Sequence, residues 1–131
     1  MSNYAYVATR ARSRRSRLLP AEAYNQLLNL EHAEIARYIQ DLEYRREIDR
    51  YGSTLSGADL IETALVDNLA KDIGDFLSFS KGKLRDILHV YAEKYRVDNL
   101  KNIIRGINQN MDRQNLERLV CPINDSDKDL Y

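Results

Sequence analysis

The sequence predicts an all-α fold: a bundle of about six to seven helices, two of them long and one kinked near residues 95–99. Three observations predict it. Apolar residues recur at three- and four-residue spacing along most of the chain, and no run alternates with period two. Two prolines and five glycines in 131 residues are too few for the turns of a sheet protein. Hydrophobic residues make up 44%, enough for a packed core at a chain length that buries roughly two thirds of its unfolded surface.

The elements follow in order. Tyr4, Val7, Ala8, Ala11 and Leu18 fall on one stripe at helical spacing, which predicts an amphipathic first helix over 3–18. Pro20 suits the opening turn of a second, with Leu27 and Leu28 on its inner face. A third is written in "HAEIARYIQDL", where Ile35, Tyr38, Ile39 and Leu42 form the apolar side. The glycines and serines of "DRYGSTLSGADL" mark a connection, and Ser56 is placed to cap a long helix carrying Ile61, Leu65, Leu69, Ile73 and Phe76. Ser80 then opens another, with Leu84, Leu88, Tyr91 and Tyr95 in phase.

At Val97 the phase breaks. Continuing the stripe would place Asp98, Asn99 and Asn102 inside, whereas Val97, Leu100, Ile103, Ile104 and Ile107 offer a new apolar face. A kinked or interrupted helix whose halves meet different neighbours accounts for the change. Asp112 is a cap for a last short helix, "DRQNLERLV", which stops before Pro122. A single helical domain is expected over 3–123, followed by a polar tail over 124–131.

Charge is balanced overall, at 20 basic and 20 acidic residues, but not locally. Arg10, Arg12, Arg14, Arg15 and Arg17 fall within eight positions, leaving 15 basic against 20 acidic residues in the remainder. The single cysteine, Cys121, excludes an internal disulfide. No apolar run approaches the ~18 residues of a spanning helix, and none follows the arginines as in a signal peptide. A soluble, cytoplasmic chain is expected, touching a membrane only through another protein.

Catalytic and metal-binding residues are not nominated. His32 and His89 lack ligands at metal-site spacing, Cys121 has no histidine in a recognisable signature, and the glycines are too isolated for a phosphate loop. The pairs Asp72/Asp75 and Glu43/Glu47 have the spacing of any charged helical face. No cofactor is implied. The arginine run admits a small nucleic-acid-binding or adaptor protein, but the neutral total charge and the absence of an RNA-binding signature argue against it. Membrane-surface binding has less behind it, since the first helix lacks a strong leucine or aromatic face.

The opening "YAYVATRARSRRSRLL" resembles the start of the C subunit of A/V-type ATP synthases, related to the d subunit of vacuolar ATPases. Arg10, Arg12, Arg15, Ser16, Arg17, Leu18 and Leu19 occupy the places of that family's R-x-R and S-R-L-L pattern. "EIARYI", "YRREID" and "SGADLIETALVDNLAKDIGDFLSFSKGKLRDIL" are similar to later family segments in the same order. The most specific match is "YRVDNLKNIIRG", and "NLERLVCPI" resembles the helix closing the family's first repeat.

The resemblance covers about residues 4–123, one of three repeats, whether as a fragment or as a natural short form. It implies a non-catalytic rotor element of the central stalk, seated on the membrane ring of proteolipid subunits and receiving the shaft built from the D and F subunits. It implies no direct nucleotide binding and a cytoplasmic position peripheral to the membrane. Arg10, Arg12, Arg17, Asn99, Lys101 and Arg105 are the nominated partner-interface residues. A lone repeat would expose apolar surface, so self-association is expected. Gly106, inside a helical pattern, is expected to let two helices approach closely.

Overall fold

A computed structural model of the chain describes residues 3–123. Among them the order is α1 (Tyr4–Arg15), α2 (Ala21–Leu27), α3 (His32–Gln40), α4 (Arg45–Tyr51), α5 (Gly57–Phe79), α6 (Lys83–Asn108) and α7 (Arg113–Arg118), with no strand. The all-α expectation holds, and the two long helices are α5 and α6. The tail expected over 124–131 lies outside the described residues. The described residues divide into two compact units, one of residues 8–68 and the other of residues 3–7 with 69–123, and the divisions fall within α1 and α5.

In the unit of residues 8–68, α1 stops at Arg15 and not at 18. Two tighter backbone bonds, from the Arg17 and Leu18 amides to the carbonyls of Arg14 and Arg15, close the turn. Pro20 disfavours helix at the residue before it, so the chain cannot continue through Leu19. The amphipathic first helix is corrected too. Along all of α1 only Val7 is buried, while Tyr4 and Leu18 are exposed. Pro20 sits just before α2, extended, and Ala21 begins the helix. Ala23 is the buried residue of α2, whereas Leu28, expected inside, is 83% exposed.

The α3 N-terminus is closed by Glu34, whose carboxylate accepts the Glu31 backbone N–H at 2.9 Å. Ala36 and Ile39 are buried, but Leu42 lies beyond the helix in an exposed turn. The turn leads into α4, a helix for which periodicity had no signal because it is two turns long. Gln40 Nε2 donates to Asp49 Oδ1 at 2.6 Å and ties α3 to α4. Ala36, Ile39, Ile48, Leu60 and Ala64 make the core, ringed by Tyr38, Tyr44, Tyr51, Leu55 and Ile61. Burial raises the pKa of both Tyr44 and Tyr51, in Tyr51 with help from neighbouring Asp67.

α5 begins at Gly57, whose φ of 61° is open to glycine without a Cβ penalty. Its buried residues are Leu60, Ala64, Ala70, Ile73 and Leu77. Leu65 and Leu69, expected inside, are about two fifths exposed. Small alanines take the inner positions where neighbouring elements come close, a choice that a hydrophobic stripe does not disclose.

In the other unit the end of α5 is held by the chain's beginning. Asn3 Nδ2 donates to the Phe79 carbonyl at 2.6 Å, and Asn3 Oδ1 accepts the Lys81 backbone N–H at 3.0 Å. Tyr6 stands edge-on to Phe79, centroids 5.9 Å apart. Ser80, expected to open the next helix, instead closes this one: it is buried and its hydroxyl donates to the Phe76 carbonyl. Gly82, at φ 59°, makes the turn into α6.

α6 runs unbroken through 95–99, and its halves do meet different neighbours. Leu88, Ala92 and Tyr95 pack with Ala70, Ile73, Leu77, Cys121 and Ile123. Beyond them, Asn99, Ile103 and Gly106 face the α7 segment. The spacing 88, 92, 95, 99, 103, 106 is one continuous helical stripe, so the buried face keeps its phase through a polar residue. Val97, Leu100, Ile104 and Ile107, the face expected to take over, are between 42% and 58% exposed, and only Ile103 of that set is buried. At α7 the Asp112 cap forms as expected, Oδ1 accepting the Asn115 backbone N–H at 2.8 Å.

Candidate partner interface

The arginine run owes part of its position to helix electrostatics. Arg12, Arg14 and Arg15 fill the last turn of α1, where the helix dipole favours cations. Arg17, past the helix end, places Nη1 3.2 and 3.1 Å from the two carboxylate oxygens of Glu43. Both partners are about half exposed, so the pair positions the turn more than it stabilises the unit. Arg10 and Arg12 are exposed on α1. Glu43 and Glu47 therefore do not act together: Glu43 meets Arg17, and Glu47 is buried on α4 with Oε2 lacking a hydrogen-bond partner.

On α6 the three nominated residues separate. Asn99 is only 2% exposed, and its amide is spent on the backbone of one residue: Nδ2 donates to the Cys121 carbonyl at 2.9 Å, and Oδ1 accepts the Cys121 N–H at 2.8 Å. One turn on, Asn102 Nδ2 donates to the Leu119 carbonyl at 3.1 Å. The two asparagines bond backbone groups of a segment that has left helical geometry, the Cys121 carbonyl sharing Asn99 with the Ile123 N–H at 3.0 Å. Lys101 pairs with Asp98 at 3.6 Å and stays more than half exposed. Arg105, also exposed, lies one turn further on the same side. Gly106 has the expected packing role, since a Cβ there would lie 2.3 Å from Leu116 Cδ2 and 3.3 Å from Met111 Sδ.

Of the nominated residues, Arg10 and Arg12 are exposed on α1, and Lys101 and Arg105 are exposed on α6, on a helix that also exposes Val97, Leu100, Ile104 and Ile107. The exposure of that apolar α6 face escaped the sequence, where its residues read as core. An apolar cleft of about 470 Å³ between α3 and α5, lined by His32, Ile35, Ile61, Glu62 and Leu65 among others, left no signal either. No cluster of three or more His, Cys, Asp or Glu suited to a metal ion occurs among the described residues. None of their helices is long and apolar enough to cross a membrane.

A family model described as "ATP synthase (C/AC39) subunit" matches residues 7–130. The chain belongs to this family. The C subunit of the A-type ATP synthase of Haloferax volcanii is 42% identical over 116 residues, which are 88% of this chain and 33% of that protein. Its counterpart in Methanosarcina mazei is 41% identical over 105 residues, 80% of this chain and 29% of the relative. That of Archaeoglobus fulgidus is 36% identical over 128 residues, 98% and 37% respectively. The chain thus spans about a third of the length of the curated relatives it matches. No solved structure gives a significant match. Within the C/AC39 family segment that reads "YRVDNLKNIIRG" here, Asn99, Ile103 and Gly106 face inward, and Lys101 and Arg105 face solvent.

Proposed function

We propose that this chain acts as a non-catalytic coupling element of the central stalk in an A-type rotary ATP synthase. In this reading it stands in the cytoplasm against the membrane sector, binds no nucleotide or cofactor, and passes torque between the proteolipid ring and the shaft built from the D and F subunits. The observation that carries the reading is the family match across nearly the whole chain, together with relatives named as the C subunit of that enzyme. A torque-bearing part needs stiff elements and surfaces of differing charge. Two helices of 23 and 26 residues and an arginine-rich opening fit that requirement. Arg10 and Arg12 on one helix, and Lys101 and Arg105 on another, are the side chains we assign to partner contact.

Capture by the immobilised chain of purified D–F shaft, or of detergent-solubilised proteolipid ring, tests the reading. At least one is retained in salt on the order of 0.5 M, where exposed charge pairs are screened to a few ångströms. Arg10→Glu with Arg12→Glu, or Lys101→Glu with Arg105→Glu, weakens capture. Retention of neither partner refutes the reading. Nucleic-acid binding by the arginine run, the alternative, gains nothing from the structure, in which Arg17 is committed to Glu43. It would announce itself as RNA affinity falling steeply with salt.

A further inference from the structure

The outward face of α6 carries a pattern with no use inside its own unit. Ile87, Val90, Val97, Ile104 and Ile107 are between 47% and 74% exposed, although each is β-branched and apolar and would be expected in a core. At about 100° per residue, Val90, Val97 and Ile104 lie within roughly 20° of one line, with Ile87 and Ile107 toward opposite margins. An exposed apolar stripe on a helix, here crossed by Glu93 and Lys94 between Val90 and Val97, is a surface awaiting cover.

The cover can be read from the symmetry of the pattern. Counting outward from Val97, Lys94 and Leu100 are three residues away, Glu93 and Lys101 four, Val90 and Ile104 seven, and Ile87 and Ile107 ten. Val90 and Ile87 are mirrored by Ile104 and Ile107, and acid is mirrored by base at Glu93 and Lys101. In a pair of antiparallel helices related by a two-fold axis at Val97, mirrored positions share a layer, and those near the middle of the face lie side by side across the seam. The central layers are then complementary, Val97 on its copy, Val90 by Ile104 and Glu93 by Lys101, while Ile87 and Ile107 flank opposite margins of the seam. Glu93 and Lys101 are each more than half exposed and now make only long intrahelical pairs, 3.7 Å to Arg96 and 3.6 Å to Asp98, so both can re-pair across the seam.

We propose that two copies of this chain associate through α6, antiparallel about Val97. The pairing is argued from α6 alone and does not depend on the family reading. A parallel arrangement would set Glu93 beside Glu93 and Lys101 beside Lys101, which like-charge repulsion disfavours.

Sedimentation equilibrium of the chain up to about 1 mM, with circular dichroism to confirm that every variant folds, provides the test. A monomer–dimer equilibrium is expected, and Val90→Glu with Ile104→Glu raises the dissociation constant by on the order of 100-fold. Lys101→Glu alone weakens the dimer by roughly 10-fold at low salt, and adding Glu93→Lys restores it to within about 3-fold. In a Cys121→Ser background, Val97→Cys gives a disulfide-linked dimer on oxidation, whereas Gln114→Cys on α7 does not. A chain monomeric at 1 mM overturns the proposal, leaving the face to a different protein. A dimer indifferent to Val90 and Ile104, or one that the second charge reversal fails to restore, overturns it as well.

Discussion

Replacing Asn99 by leucine tests the account of α6 most directly. Leucine has the same branching and number of heavy atoms as asparagine and is somewhat larger, so no cavity forms and the helix itself gains slightly in propensity. Lost are two hydrogen bonds, 2.9 and 2.8 Å, to the carbonyl and N–H of Cys121, twenty-two residues away. At about 1 kcal/mol net each these bonds contribute ~2 kcal/mol, and the Cys121 N–H that loses its acceptor adds ~1 more, while the Cys121 carbonyl keeps the Ile123 N–H at 3.0 Å. A loss of about 3 kcal/mol is a large share of the ~5–15 kcal/mol that holds a domain folded. With a urea dependence near 1.5 kcal/mol per molar, the midpoint falls by about 2 M. Asn99→Asp fares no better: its carboxylate can accept the Cys121 N–H but repels the Cys121 carbonyl. Urea unfolding followed by circular dichroism gives the stability, and hydrogen exchange at the Cys121 amide gives the local effect, which is faster exchange in Asn99→Leu. A midpoint within ~0.3 M of the parent, with unchanged exchange at Cys121, would refute the reasoning and release Asn99 for an interface role.

Three further outcomes follow from single sites. Gly106→Val costs about 2 kcal/mol by urea unfolding, because its side chain must displace Leu116 and Met111; parental stability would show that Leu116 turns aside freely. Glu47→Met, which removes a buried carboxylate with an unpartnered oxygen while keeping its volume, is at least as stable as the parent and by up to ~2 kcal/mol more. A loss above ~1 kcal/mol would reveal a favourable contact at that carboxylate. The hydrogen bond with Tyr91, then burial, pushes the Tyr95 pKa up to about 12 from its ordinary 10. The neutral phenol is thus favoured by folding, so its contribution is complete below about pH 10 and is lost as pH rises toward 12. In Tyr95→Phe the alkaline decline in stability is shallower and the late step in tyrosinate absorbance disappears; an unchanged alkaline limb would remove Tyr95 as its cause.

What the sequence determined by itself was local. Helical class, the two long helices, the Asp112 cap and the stop ahead of Pro20 depend on contacts within about four residues, and such contacts are written in consecutive letters. The nominated surface was legible in part. Arg10, Arg12, Lys101 and Arg105 are exposed as charged side chains on helices are, but nothing near Arg17 in sequence names Glu43 as its partner.

Tertiary structure decided which face each helix turns inward. Large leucines marked one stripe of α5, yet Ala64 and Ala70 went inside, because close approach favours the smallest side chains. Asn99 looked like the end of a buried stripe and is its centre, because its amide finds both a donor and an acceptor on Cys121, which offsets the cost of burying it. The same inversion turned Val97, Ile104 and Ile107 outward. Hydrophobicity says that a residue gains by leaving water, but only the fold says whether its own chain or another one provides the cover.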